Sequence, residues 1–267
     1  MFQLRLLFLF CVTGCAAAPS NPSFPITSAE AHQVIEQMRG NPKSLRRPVL
    51  LIGGFLDPDI TPTIYQFFFS SITTDANLIP VSIGFCNSFA ECRKKVIAAV
   101  DAACPSSDPI WTTEVDVVGA SLGGLVARYA AAPSPESAHP RRLRIARLFS
   151  ISSPQSGSKL AKDLGFTDFH KEIRPNSAFL KVLAAEDPDA GYKLYPYVLL
   201  NDTIIDARYA APPGDTAFWL PNDSLLPSHD AAMVDQRILA DIARRLREEP
   251  PFSRFPATPL PEFSTGR

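Results

Sequence analysis

The sequence predicts an α/β fold: a mostly parallel sheet with helices on both faces and a small cap insertion. Three observations predict it. Short apolar runs of strand length recur at 48–55, 77–84, 115–118, 144–152 and 197–200. Runs of this kind read as strands buried on both faces. Most of the intervals between them suit one crossover helix, and several open on helix-start signals. The chain of 267 residues, 46% of them hydrophobic, is long enough for one sizeable core. Its net charge is −1 with both signs well mixed, and it has no basic run. Nothing in it suggests a nucleic-acid partner, and none is expected.

The elements follow in order. Thr27-Ser28-Ala29-Glu30 reads as a capping box opening a helix that ends near Gly40. Pro48 to Phe55 is a buried strand closed by Gly53-Gly54. Thr61-Pro62 starts a helix carrying Phe67-Phe68-Phe69, a run that suits either helix core or an acyl pocket. Asn77 to Gly84 is the next strand, and Ser88-Phe89-Ala90-Glu91 caps a helix reaching about Ala103. Strands then fall at Val115–Val118, Arg144–Ser152, Tyr197–Asp202 and Thr216–Leu220. One amphipathic helix is expected from Asp230 to Arg247. The long interval at about 156–195 is the cap insertion, expected over the carboxyl ends of the strands.

The ends read differently. Arg5 precedes the apolar run Leu6–Val12, too short to span a bilayer, and residues 1–15 are read as a signal peptide. Val12-Thr13-Gly14-Cys15 resembles a bacterial lipoprotein signal, which implies lipid attachment at Cys15; an ordinary cleaved signal is the alternative. Either way the protein is exported, to the cell envelope or beyond. Residues 16–26 are a small, Pro-containing tether, 27–249 the folded domain, and 250–267 a Pro-rich disordered tail. Cys92 and Cys104 fall at opposite ends of one helix, too far apart to bridge. Cys86 and Cys92 are placed to meet, and export favours oxidation; three free thiols are the alternative. No Cys or His pairs stand at zinc-ligand spacing, so no metal is expected.

Val115 to Val118 runs into Gly119-Ala120-Ser121-Leu122-Gly123 and then into Leu125, Val126, Ala127 and Tyr129 of a helix. Strand, tight turn and helix with Ser at the apex is the context of a nucleophile elbow. A serine hydroxyl needs a His to take its proton, and the His needs a carboxylate to hold its tautomer. On such a sheet the partners follow in the order Ser, acid, His. Of the four histidines only His170 and His229 follow Ser121, and only His229 has a strand-end carboxylate before it. Asp202 is that carboxylate, with Asp206 next and Asp223 and Asp230 behind. An oxyanion needs two backbone N–H donors. Leu122 supplies one, and the loop after the first apolar strand supplies the other from Phe55 or Gly54.

These segments together resemble the α/β-hydrolase serine esterases of the lipase and GPI inositol-deacylase-like type. The resemblance rests on Pro48–Phe55, the GASLGGLVARY stretch from Gly119 to Tyr129, Ser152–Ala161, Arg174–Leu180, Asn201–Ile205 and Ser228-His229. It implies hydrolysis of a carboxylic ester, such as a lipid, through an acyl-enzyme and with no cofactor. Two positions depart from the pattern: Gly53 stands where the family usually has His, and Gln155 where a His commonly follows Pro154. Two alternatives remain open at this stage. One is a hydrolase-like envelope lipoprotein without turnover; the other is acyl transfer from the same site.

Overall fold

The computed structural model describes residues 20–74, 76–133, 141–159, 168–186 and 191–261. The expected signal peptide and Cys15 lie outside them. The chain order is α1 (Ser28–Gly40), β1 (Lys43–Ser44), β2 (Val49–Ile52), α2 (Ile60–Ser70), β3 (Thr73–Thr74), β4 (Leu78–Val81), α3 (Phe89–Ala103), β5 (Val115–Ala120) and α4 (Leu122–Ala131). It continues with β6 (Ile145–Ile151), α5 (Asp168–Glu172), α6 (Ala178–Glu186), β7 (Lys193–Leu199), β8 (Phe218–Leu220), α7 (Ser228–Val234) and α8 (Gln236–Leu246). Six strands form one parallel sheet in the order β4-β2-β5-β6-β7-β8. β1 and β3 form a separate parallel pair.

Alternation along each strand decides which layer a side chain joins. Val49 and Leu51 of β2 pack with α1, α2 and α8, whereas Leu50 and Ile52 pack with α3 and α4. Both sets are fully buried, as a strand with two covered faces requires. Phe149 of β6 lies in the first layer. Its burial contributes roughly 1.5–3 kcal/mol. The described parts of the cap, α5 and α6, lie against the α3–α4 layer through Phe169, Leu180 and Leu183. There Phe179 stacks on Phe89 with centroids 4.3 Å apart.

Local signals account for most boundaries. Thr27 and Glu30 close the capping box of α1 in both directions. Ser88 caps α3 through the Glu91 N–H at 3.2 Å, but Glu91 turns its own carboxylate to the Asn87 N–H instead. Three expectations need correction. α2 begins at Ile60 and is capped not by Thr61 but by the Asp57 carboxylate, which accepts from the Ile60 N–H at 2.7 Å. β7 starts four residues earlier than its apolar run, at Lys193. The final helix is two helices, because Asp235 leaves helical geometry and caps α8 through the Arg237 and Ile238 N–H groups.

The ends also differ from expectation. Residues 20–26 of the tether are placed on the fold: Phe24 is buried and the Asn21 side chain donates to the Trp219 carbonyl at 2.5 Å. Residues 250–261 of the tail are ordered as well. The Phe252 N–H donates to Asp241 Oδ1 at 2.6 Å, and Trp219 Nε1 donates to the Ala257 carbonyl at 3.0 Å. Proline-rich composition signalled a chain without its own regular structure. It did not reveal that buried groups elsewhere needed these backbone partners.

Candidate active site

β5 sits in the middle of the sheet, and its carboxyl end feeds directly into α4. Ser121 is the single residue between them, at φ 49° and ψ −122°. That is left-handed backbone for a residue with a Cβ, a conformation held only when the surroundings over-determine it. Here the Ser121 N–H donates to the Ile151 carbonyl at 2.8 Å, and α4 begins at once. Gly119 makes the return possible, since a Cβ there would lie 2.6 Å from the Gly124 nitrogen.

The remaining partners arrive from the ends of neighbouring strands. Asp202 lies just past β7, after Asn201 at φ 61°. Its side chain is fully buried. Oδ1 accepts from the Ile204 and Ile205 N–H groups at 2.9 and 2.8 Å, which leaves Oδ2 for His229 Nδ1 at 2.9 Å. His229 is the second residue of α7 rather than a loop residue before the helix. Its Nε2 lies 3.1 Å from Ser121 Oγ. With Nδ1–H donating to the carboxylate, Nε2 is left to accept the Ser121 hydroxyl hydrogen. The structure therefore brings Ser121, His229 and Asp202 into one hydrogen-bonded chain.

The other acids considered are elsewhere. Asp206 caps a turn and pairs with Arg208. Asp223 accepts from Ser28 and pairs with Arg237. Asp230 is exposed at the cleft. His170 is buried beside the Phe55 ring, and that burial holds its pKa below the ordinary histidine value. Gln155 is buried, and its side-chain carbonyl accepts from the buried Arg128 of α4 at 2.7 Å.

A cleft of about 260 Å³ opens over Ser121. Its walls come from the 54–61 segment on one side and from His229, Asp230 and Met233 on the other. Gly54 passes so close that a Cβ there would stand 3.2 Å from Ser121 Cβ. Phe55 lines the same cleft, and its ring packs edge-on against Phe169 of α5. Leu122 is the first residue of α4, so its N–H is one of the helix-end amides without an intrahelical acceptor. Of the aromatic run on α2, Phe68 and Phe69 are buried in the core while Phe67 is 72% exposed. None of the three lines the cleft. At its rim Leu56 and Ile60 are exposed, and Ile64 and Phe67 continue the same outward stripe along α2. Cys86 and Cys92 are buried free thiols, and burial raises that of Cys92 well above the ordinary range.

Strand order, elbow and hydrogen-bonded triad define an α/β-hydrolase fold. No protein-family model matches the sequence, and no curated protein matches it. Among solved structures the chain is similar to the Bacillus licheniformis lipase BlEst2 in its propeptide form, at 14% identity and TM-score 0.48, over 72% of this chain and 48% of that one. It thus spans about half the length of that lipase. It is also similar to the lin2722 gene product of Listeria innocua, at 14% identity and TM-score 0.48, over 79% of this chain and 96% of that one. A lipase-esterase related protein of Clostridium acetobutylicum matches at 11% identity and TM-score 0.48, over 78% and 96% of the two chains. The fold assignment stands on the strand order and the elbow themselves.

Strain at Ser121 has a measurable consequence. A left-handed residue with a side chain costs of order 1–3 kcal/mol, and glycine escapes it at an entropic cost of about 0.5–1 kcal/mol. Ser121→Gly is expected to unfold at a higher temperature than Ser121→Ala, by about 1 kcal/mol in stability, in calorimetry of the two variants. Equal or reversed melting temperatures would show that the elbow holds no strain.

Proposed function

We propose that this chain is an exported serine esterase that cleaves carboxylic esters through an acyl-enzyme. The observation that carries the reading is the hydrogen-bonded chain from Asp202 through His229 to Ser121. It joins residues 27 and 108 positions apart in sequence, at the mouth of a cleft. This geometry favours turnover over a hydrolase-shaped shell without it.

Each step follows from the positions. Ser121 Oγ attacks the acyl carbon while His229 Nε2 takes its proton, and Asp202 steadies the imidazolium that forms. Negative charge moves to the carbonyl oxygen. The N–H groups of Phe55 and Leu122 receive it there, and such preorganised donors are each worth about 2.7–4 kcal/mol in the transition state. The imidazolium then protonates the departing alcohol, leaving an acyl-serine. Water, deprotonated by the same imidazole, attacks that ester; the bond to Ser121 Oγ breaks, the imidazolium returns its proton to Oγ, and the free acid departs.

The cleft and its rim support an apolar ester as substrate. Leu56 and Ile60 are 69% and 60% exposed at the mouth, which gives an apolar acyl group a surface to lie on. Apart from His229, the charged residues in the lining are Asp57 and Asp230, both acidic, which suits a neutral acyl group. The lipoprotein-like Val12–Cys15 supports the reading that this chemistry occurs at the membrane surface of the cell envelope, with an acyl chain on Cys15 as the anchor.

Two measurements check the reading. Ser121→Ala is expected to lower kcat/KM on p-nitrophenyl esters by about 10⁴-fold or more, and Asp202→Asn kcat by about 10⁴-fold, with the far-ultraviolet circular dichroism unchanged. Wild-type turnover in Ser121→Ala would exclude the mechanism. Separately, Cys15→Ala should move the protein from the detergent phase to the aqueous phase in a Triton X-114 partition of expressing cells. Partition unaffected by the substitution would remove the anchor.

A further inference from the structure

The segment from Gly53 to Asp59 carries the Phe55 N–H, yet it is a strained loop with no regular structure. Leu56 and Asp59 both hold positive φ, at 58° and 75°. Both are unfavourable for a residue with a Cβ, so the segment relaxes unless something outside it fixes its path. One end is tied by the sheet, where the Gly53 N–H donates to the Val81 carbonyl at 3.1 Å. The other end is tied by the Asp57 carboxylate, which accepts from Ile60 and Thr61 at the start of α2.

The middle is held from a different strand. Ser82 follows β4 directly and is 5% exposed. Its hydroxyl accepts the Gly84 N–H at 3.3 Å and donates to the Asp57 backbone carbonyl at 2.8 Å. The first bond orients the hydroxyl hydrogen for the second. Gly84 then closes on the same peptide unit: a Cβ at Gly84 would lie 2.3 Å from the Asp57 carbonyl oxygen and 2.8 Å from its nitrogen. Pro58 follows with its φ fixed by its ring. The peptide two residues beyond Phe55 is thus clamped by the Ser82 hydroxyl and by close packing against Gly84. Gly53, inside the segment, has no side chain to do this work.

We propose that Ser82 is a positioning residue for the oxyanion: through the Asp57 carbonyl it fixes the path of the segment that presents the Phe55 N–H to the substrate. The inference rests on the esterase reading above. Ser82 lies outside the cleft lining, so its effect reaches the reaction only through that segment. Deleting an oxyanion donor outright costs about 10²–10³ in kcat. Loosening one costs less, about tenfold.

The test compares wild type, Ser82→Ala and Ser82→Cys, with active sites counted by a fluorophosphonate burst. Ser82→Cys keeps the buried volume and offers only a weak donor, so it separates lost positioning from lost packing. Both variants are expected to lose about tenfold in kcat per active site on p-nitrophenyl butyrate, with KM within twofold. An alkyl boronic acid, which mimics the tetrahedral adduct, should bind them more weakly by the same factor. A structural role alone would lower the count of active sites and leave these two readouts unmoved. Gly84→Ala should give a larger loss in the same two quantities. Unchanged kcat and boronate affinity in the foldable variants would overturn the role of Ser82 and leave the esterase reading standing. Absence of turnover in the wild type would remove the reading itself, and the role of Ser82 with it.

Discussion

The arrangement depends on how few hydrogens a buried carboxylate accepts. Asp202 has no exposed side-chain surface, and its Oδ1 is occupied by two amides of its own turn. Oδ2 therefore faces His229, and the ring has one orientation that meets it. Burying a carboxylate without partners is costly enough that this turn and the imidazole settle each other's positions. Only then does the second ring nitrogen point at Ser121.

The sheet converts that local requirement into a site. Parallel register puts Gly119 beside Ile52 and Ala120 beside Ile151, with Ile151 beside Tyr197. The carboxyl ends of β2, β5 and β7 consequently emerge together, and each delivers one part: the Gly54–Phe55 loop, Ser121 and Asp202. α7 adds His229 from beyond β8. Deeper in the structure, Asp241 of α8 accepts from the Tyr197 hydroxyl at 2.7 Å, from Arg245 at 2.8 Å and from the Phe252 N–H. It ties β7, the last helix and the tail into one unit below the triad. The strained elbow is tolerated because buried layers pack closely on both faces of β5.

Much of this was legible in the amino-acid order. A Val-rich run turning into G-x-S-x-G and then a helix locates Ser121, because few other backbones need small residues on both sides of a serine. Chain order then singles out Asp202 and His229. What was not legible has a common cause. Asp235 reads as one more polar position on a helix surface, and only the three-dimensional path shows it breaking and recapping that helix. Asn21 and Phe252 sit in stretches whose composition signals no structure of their own, and their partners, Trp219 and Asp241, are far away in sequence. Ser82 is a lone serine after a short strand. Nothing in its neighbourhood marks it until β4 is seen beside β2. Asp57 was closer to reach, since an Asp three residues before a helix start is a capping signal, but Thr61-Pro62 offered a stronger one.

The most direct measurement is the site of covalent capture by a fluorophosphonate, read by mass spectrometry of the digested protein. A hydroxyl made nucleophilic by His229 should give one adduct, on the peptide containing Ser121, and His229→Ala should abolish it. An intact protein that takes up no label at Ser121, or that is labelled equally without the imidazole, would contradict the account.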